Sequence, residues 1–221
     1  MIEELLPDSV VTVETHGDEG LQDAPLYPEE EARVARAVPK RRREFAAVRA
    51  CARRAMEKLG VPPQPILPGA HGAPAWPAGV IGSMTHCDAY CAAALARAGD
   101  LASLGIDAEP HAPLPDGVLL SVALPAEQER LARLTAERPG VHWDRLLFSA
   151  KESVYKAWFP LARRWLGFED AVVVVEPTAG TFTARLLVSG PRLAGGPLRT
   201  LSGKWTVCEG TILTAVVLCT R

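Results

Sequence analysis

LGIDAEP, residues 104–110, sets Asp107 and Glu109 two positions apart inside an apolar run. In an extended strand side chains alternate between faces, so both carboxylates point the same way, about 6–7 Å apart. Two like charges on one face repel. They persist if that face is wet, or if a cation sits between them, and the second case requires a third ligand and an anionic substrate from elsewhere in the chain.

The candidate third ligand lies in LLFSAKESVYKAWFP, residues 146–160. At helical spacing Phe148, Glu152, Tyr155 and Lys156 share one side, while Leu147, Ala150, Val154 and Trp158 turn toward a core. Two plainer roles for Glu152 stand beside that of a ligand. It can pair with Lys156 at i,i+4, worth a few tenths of a kcal/mol when exposed, or close a helix start with Ser149 as an S-x-x-E capping box. The apolar pattern continues upstream of Ser149, which argues for a helix from Trp143 to Phe159, stopped by Pro160. Taken singly, each carboxylate is more readily structural than catalytic. Magnesium prefers oxygen ligands and takes some of them from substrate phosphate, so three carboxylates with flanking cations suit a metal and a pyrophosphate.

The cations are concentrated upstream. Between Arg33 and Lys58 ten Lys or Arg stand against two acids, about +8, in a chain whose net charge is −2. A local cationic site on an otherwise acidic protein points to a discrete anion more than to a continuous duplex, and few aromatics interleave for base stacking, so no nucleic-acid partner is expected. KRRREFAAVRACARRAMEKL, residues 40–59, places Phe45, Val48, Ala52, Met56 and Leu59 on one helical face, with Gly60 and Pro62-Pro63 ending the pattern. Arg42, Arg49 and Arg53 fall on one side of it, and Arg41 lies near its start, where the helix dipole favours anions.

Residues 61–79 are too rich in Pro and Gly for regular structure. Val80–Ser83 reads as a strand or turn entry, residues 85–97 as strand or short helix, and residues 101–107 as a strand. Residues 111–125 read as a broken loop before a helix at AEQERLARLT, and the segments AVVVVEP, TFTARLLVS, LSGKWTVCEG and TILTAVVLCT as strands. The architecture expected is α+β: two similar lobes forming a pseudodimer, each a small sheet packed against helices, divided at residues 1–104 and 105–221. The acidic start MIEELLPDS lacks a signal-peptide pattern, and no apolar run is long enough to cross a bilayer, so a cytoplasmic monomer without membrane contact is expected. The five cysteines form no CxxC pair and read as free thiols.

On these residues the chain resembles the Sfp-type 4'-phosphopantetheinyl transferases. Their G-[IV]-D-x-E strand is matched by Gly105–Glu109 and their [FW]-[STC]-x-K-E-[AS]-x-x-K helix by Phe148–Lys156, without a mismatch. GSMTHC at 82–87 and WLGFEDA at 165–171 look like the same family, so the resemblance covers most of residues 40–175. It implies an enzyme that moves the phosphopantetheine arm of coenzyme A, its co-substrate, onto a serine of an apo carrier protein and releases 3',5'-ADP. It also implies Asp107, Glu109 and Glu152 as Mg2+ ligands, with Lys151 and Lys156 approaching the pyrophosphate. Arg41, Arg49 and His86 look like the residues on the adenosine-side phosphates, with Ser83 and Thr85 nearby. Asp107, Glu152 and Lys156 carry the catalysis, either Glu152 or a metal-polarised water taking the serine proton. One departure is visible: relatives carry a basic residue in the connector, where this chain has Pro68 and His71. The loop from His111 to Leu124, with Leu119 and Leu120, is the expected docking surface for the carrier. Two alternatives are another magnesium-dependent phosphoryl-transfer enzyme and a coenzyme A-binding protein that has lost catalysis.

Overall fold

A computed structural model describes residues 1–16, 24–88 and 90–220. Its first sheet has three antiparallel strands, β1 (Val11–His16), β2 (Val80–Cys87) and β3 (Tyr90–Arg97), in the order β1-β3-β2. After the short α1 (Pro28–Val34), α2 (Pro39–Lys58) packs on this sheet. Cys51, Ala52, Ala55 and Met56 meet Val80, Ala93 and Leu95 in one buried cluster. The small residues of β3 are the reason the helix comes so close: Ala92 to Ala96, with Leu95 among them, are fully buried.

The second layer is larger. Strands β4 (Leu101–Pro110), β5 (Ala171–Glu176), β6 (Thr181–Leu186), β9 (Thr200–Cys208) and β10 (Thr211–Cys219) form one antiparallel sheet ordered β4-β10-β9-β6-β5. A separate two-residue ribbon, β7 (Arg192–Leu193) with β8 (Gly196–Pro197), sits between β6 and β9 in the chain. Helix α5 (Trp143–Ala162) covers the sheet, burying Leu147, Ala150, Val154 and Trp158 as its apolar spacing requires, against Phe182, Ile212 and Val216. Full burial of such side chains stabilises by about 1.5–3 kcal/mol each. Helices α3 (Val118–Val122) and α4 (Pro125–Glu137) precede it. Each lobe is thus a long helix on an antiparallel sheet, the α+β arrangement expected.

The two sheets meet edge to edge. β2 runs beside β4 without a backbone ladder; instead the hydroxyl of Ser83 accepts from the Ile106 amide at 3.0 Å and that of Thr85 from the Ala108 amide at 2.9 Å. A third apolar cluster seals the seam from behind, joining Ile2, Leu5 and Leu6 of the N-terminal segment to Leu104, Ile106, Leu213 and Ala215.

Three local expectations change. Pro160 does not stop the last helix, which continues to Ala162; proline removes only its own N–H, and the Arg163 amide still reaches the Phe159 carbonyl at 2.9 Å. Residues 118–122 of the supposed loop are helical, and residues 85–87 and 90–97 lie in strands β2 and β3. The connector at 61–79 does lack helices and strands beyond a single turn at Ala70–Gly72 and an isolated bridge between Pro68 and Pro74, yet Ile66 within it is fully buried.

Candidate active site

Gly105 is the starting point, because it sets how near β4 lies to α5. A Cβ there would stand 2.1 Å from the Ser153 carbonyl oxygen and 2.6 Å from the Ala157 nitrogen. Only glycine admits the helix this close. The same contact is reinforced by Ser103, whose hydroxyl donates to the Ala157 carbonyl at 2.6 Å. Asp107, two residues along the strand, is thereby brought against Lys156 in the fourth turn of the helix.

Lys156 donates to Asp107 Oδ1 at 2.7 Å and to the Ile106 carbonyl at 3.1 Å. Thr85 lies 3.4 Å from the same Oδ1. An ammonium has three protons, so one remains uncommitted. Asp107 Oδ2 is buried and has no partner among the described residues, an uncommon condition for a carboxylate oxygen.

Glu152, one turn before Lys156, makes no hydrogen bond to the described residues. Burial holds its carboxyl above the ordinary range, and Asp107 and Glu109 add to the shift against the opposing pull of Lys156. Glu109 is likewise raised, by burial first and Asp107 second, although Arg145 pulls it down. Arg145 Nη1 donates to Glu109 Oε2 at 2.8 Å. The three acidic residues therefore act on one another electrostatically, while among the described residues no group of three or more His, Cys, Asp or Glu is drawn together tightly enough to hold a metal.

Ser149 answers the capping question. It is fully buried inside α5; the Thr214 hydroxyl donates to its carbonyl at 2.9 Å, which leaves the Ser149 hydroxyl to donate to Thr214 Oγ1, also at 2.9 Å. It caps nothing, and Glu152 is free of that role.

Between the lobes opens a cavity of about 970 Å³. Arg41, Arg49, Ser83 and His86 wall it on one side, Glu152 and Lys156 on the other. Arg41 Nη1 donates to His86 Nε2 at 2.7 Å, which assigns the imidazole proton to Nδ1, facing Glu44 at 3.8 Å. Burial lowers the His86 pKa, which favours this neutral ring. Arg49 is 5% exposed, and its Nε donates to the Ile66 carbonyl at 2.9 Å. Burial lowers its guanidinium to about 10, opposed by Glu30, so it stays charged at neutral pH. Arg53 is tied to Glu30 at 2.9 Å, and Arg42 pairs with Glu31; these two arginines of the helix are structural.

The structure brings Arg41, Arg49, Ser83, His86, Glu152 and Lys156 to one cleft; Asp107 lies behind Lys156, beside Thr85, and Glu109 lies outside the lining, paired with Arg145. Lys151 is the correction. Its ammonium faces the interior and donates to Glu127 Oε2 at 2.8 Å, the Val122 carbonyl at 2.9 Å and the Phe168 carbonyl at 2.7 Å. All three protons are used, away from the cleft. Five residues of helix rotate the chain by about 140° between Lys151 and Lys156, and Lys151 shares its face with Leu147 and Val154, both buried; that pattern was readable beforehand. Arg145 was missed, although its spacing of seven and eleven residues to Glu152 and Lys156 places all three on one helix face. His71 lines the cavity with φ +53°, its ring 5.4 Å from Phe159 and 6.1 Å from Trp165. A second, smaller cavity of about 190 Å³ adjoins Glu152, lined by Tyr155, Trp165 and Phe168 among others.

Comparison with known proteins agrees with this arrangement. The description "4'-phosphopantetheinyl transferase N-terminal domain" matches residues 29–96 and "4'-phosphopantetheinyl transferase superfamily" residues 103–197. The chain is 58% identical to the 4'-phosphopantetheinyl transferase Svp of Streptomyces mobaraensis, over 99% of this chain and 89% of that protein. It is 52% identical to PptT of Mycobacterium tuberculosis over 86% and 85% of the two chains, and 49% identical to Npt of Nocardia iowensis over 98% and 99%. Identity of this extent over nearly the whole chain shows that it belongs to the 4'-phosphopantetheinyl transferase superfamily.

Proposed function

We propose that this protein transfers the phosphopantetheine arm of coenzyme A to a serine of an apo carrier protein and releases 3',5'-ADP. The observation that carries the reading is the cleft itself: a cationic wall from one lobe facing Glu152 and Lys156 of the other. The lobes are taken as residues 1–104 and 105–221, although β4 (Leu101–Pro110) lies whole in the second sheet. Both walls come from one chain, so a monomer suffices, and five free thiols suit the reducing cytoplasm.

Arg41, Arg49 and His86 suit the phosphates at the adenosine end of the coenzyme, with Ser83 and Thr85 holding the strand beneath them. Lys156, with one proton uncommitted, suits the pyrophosphate. Asp107, Glu109 and Glu152 offer oxygen donors only, and the unpartnered, buried Asp107 Oδ2 suits a hard divalent cation such as Mg2+; the three are not gathered around one point among the described residues, so an ion there would have to draw Glu109 and Glu152 toward Asp107. When bound there, such an ion supplies charge stabilisation for the pyrophosphate oxygens. The serine oxygen bonds to the β-phosphorus and the bond to the bridging oxygen breaks, leaving that oxygen on 3',5'-ADP. Glu152, with its raised carboxyl, takes the serine proton, since a base poised nearer neutrality is the more effective one. Lys156 stabilises the charge on the departing oxygen. Lys151 has no part in this.

The carrier is read as docking on the segment His111–Leu124. Leu119 packs against the core, whereas Leu120 is 74% exposed. Leu120→Glu is expected to raise KM for the carrier while leaving coenzyme A binding unchanged.

The test is incubation with apo carrier protein, coenzyme A and Mg2+, read by intact mass. A phosphopantetheine adduct is expected; its absence across several carriers sinks the reading. Asp107→Ala and Glu152→Ala should each abolish the adduct with the fold retained by circular dichroism.

A further inference from the structure

Glu30 lies in the first turn of α1 and is fully buried. Its Oε2 accepts from Arg53 Nη1 at 2.9 Å and from the Tyr27 amide at 3.1 Å, while its Oε1 accepts from the Ile66 amide at 2.8 Å and stands 3.8 Å from Arg49 Nε. One carboxylate therefore joins the start of α1, two arginines of α2 and the connector. Closing a helix start accounts for the bond to Tyr27. It does not account for the reach to the connector or for the place beside Arg49.

Arg49 lines the cavity and is held on three sides. Its Nε donates to the Ile66 carbonyl at 2.9 Å, its Nη1 lies 3.4 Å from the Phe45 carbonyl, and its guanidinium carbon stands 3.1 Å from the centre of the Phe45 ring. A guanidinium carries five N–H groups, so three have no acceptor among the described residues. Ile66 is gripped at both ends, its amide by Glu30 and its carbonyl by Arg49. A shift of that residue takes away the acceptor that fixes Arg49 Nε.

We propose that Glu30 is a positioning residue for the phosphate wall: through Ile66 and through its own charge it fixes the Arg49 guanidinium at the depth and in the plane from which the free N–H groups meet an anion. The inference rests on the reading of Arg49 as a contact for the adenosine-end phosphates given above. Charge alone predicts the opposite sign, since removing a carboxylate near an anion site should tighten binding. That gain is small, because Arg53 already balances Glu30 at contact distance. Against it, the Ile66 amide is left buried without its acceptor, and Arg49 and Arg53 become like charges with no carboxylate between them. Burial pulls the Arg49 pKa down, and Glu30 holds it up against Arg41 and Arg53. All three losses weaken the wall.

The experiment titrates 3',5'-ADP, which carries only the adenosine-end phosphates, into the full-length protein by calorimetry. Wild type, Glu30→Gln, Glu30→Asp, Arg49→Gln and the double variant Glu30→Gln/Arg49→Gln are compared, with steady-state kinetics alongside. Glu30→Gln should weaken 3',5'-ADP by about 5–100-fold, the span of coupling within one hydrogen-bonded network. KM for coenzyme A should rise in step while kcat stays within about twofold, the pattern of lost uniform binding. A carboxylate that only supports the fold would lower Tm and leave the affinity of the folded protein unmoved. The double variant should bind within about twofold of Arg49→Gln alone, because Glu30 acts through Arg49. Glu30→Asp keeps the charge but is one methylene too short to span α1 and the connector, so it should recover part of the affinity. Unchanged or tighter binding by Glu30→Gln, or losses that add in the double variant, overturns the inference alone. Wild-type protein that binds no 3',5'-ADP overturns it together with the phosphate reading of Arg49. If the glutamine variant does not fold, wild-type affinity in Glu30→Asp overturns it equally.

Discussion

Helix α5 carries two lysine–carboxylate pairs of almost equal length and opposite character. Lys151 meets Glu127 at 2.8 Å with side chains 3% and 1% exposed; Lys156 meets Asp107 at 2.7 Å with side chains 27% and 6% exposed. The first is a closed network. Lys151 has three acceptors, and Glu127 also takes the Leu124 amide at 2.8 Å and the Val173 amide at 2.7 Å, so one pair ties α4, α5 and β5 together. The second is open, with a spare ammonium proton and an unpartnered carboxylate oxygen. A closed polar cluster is architecture, whereas an open one is a place prepared for something else.

The largest effect should come from breaking the closed pair. Lys151→Ala leaves Glu127 buried and uncompensated, and about 3–5 kcal/mol of stability should disappear, lowering Tm by about 2–4 °C for each kcal/mol. Lys156→Ala also leaves a buried carboxylate without its cation, but Lys156 itself is 27% exposed, so its loss of stability should be smaller than that of Lys151→Ala, while kcat falls by about 10²–10³ as a charge-stabilising donor is removed. Denaturant titration beside kinetics separates the two. Similar melting of both variants would erase the distinction between the clusters.

Gly105→Ala tests whether the open pair depends on helix depth. Overpacking at 2.1 Å from a carbonyl should cost about 1–3 kcal/mol, and the displaced helix should slow transfer although no catalytic side chain has changed. A variant that loses stability alone would show the site to be tolerant of that spacing.

Glu152 sharpens the comparison through pH. Its folded pKa lies above the unfolded value of 4.5, with burial the leading cause. Such a group favours the folded state below 4.5, and that contribution is lost as pH rises through the folded pKa. At neutral pH the ionised side chain therefore opposes folding, so Glu152→Gln should raise Tm at about pH 7, by up to about 1 kcal/mol equivalent, and leave it unchanged near pH 4. A lower melting point at neutrality would show that Glu152 is satisfied in the free protein.

The smallest effect belongs to His86, whose folded pKa is lowered from 6.5 by burial. Here the sign reverses: stability is fully present above 6.5 and falls as the pH drops through the folded value. His86→Gln should flatten the decline in Tm between about pH 6.5 and 5, and an unaltered slope would place the titrating group elsewhere.

Much of this arrangement could be read from residue spacing, and the exceptions have physical causes. Helices α2 and α5 announced themselves because their apolar residues recur at the helical period and are bounded by Gly or Pro. β1 did not, since VTVETH is short and acquires its strand state from Ala92–Leu95 some eighty residues away. The cleft residues were visible as motifs, but a motif does not state orientation. Lys151 and Lys156 look equivalent in the chain, and only the rotation of the helix and the arrival of Glu127 from α4 divide them. Arg145 shared the face of Glu152 and Lys156 by spacing, but two of its three partners, Ala112 and Pro113, are backbone carbonyls, which leave no trace in residue type.

The seam between β2 and β4 has one more implication. Where most neighbouring strands are bound by a ladder common to every residue, these two are clasped by the hydroxyls of Ser83 and Thr85, over the apolar cluster behind them. The width of the cleft between the lobes is therefore encoded in side chains and open to adjustment by point substitution. A lineage needing room for a bulkier thioester can widen the gap one fastening at a time, without rebuilding either sheet.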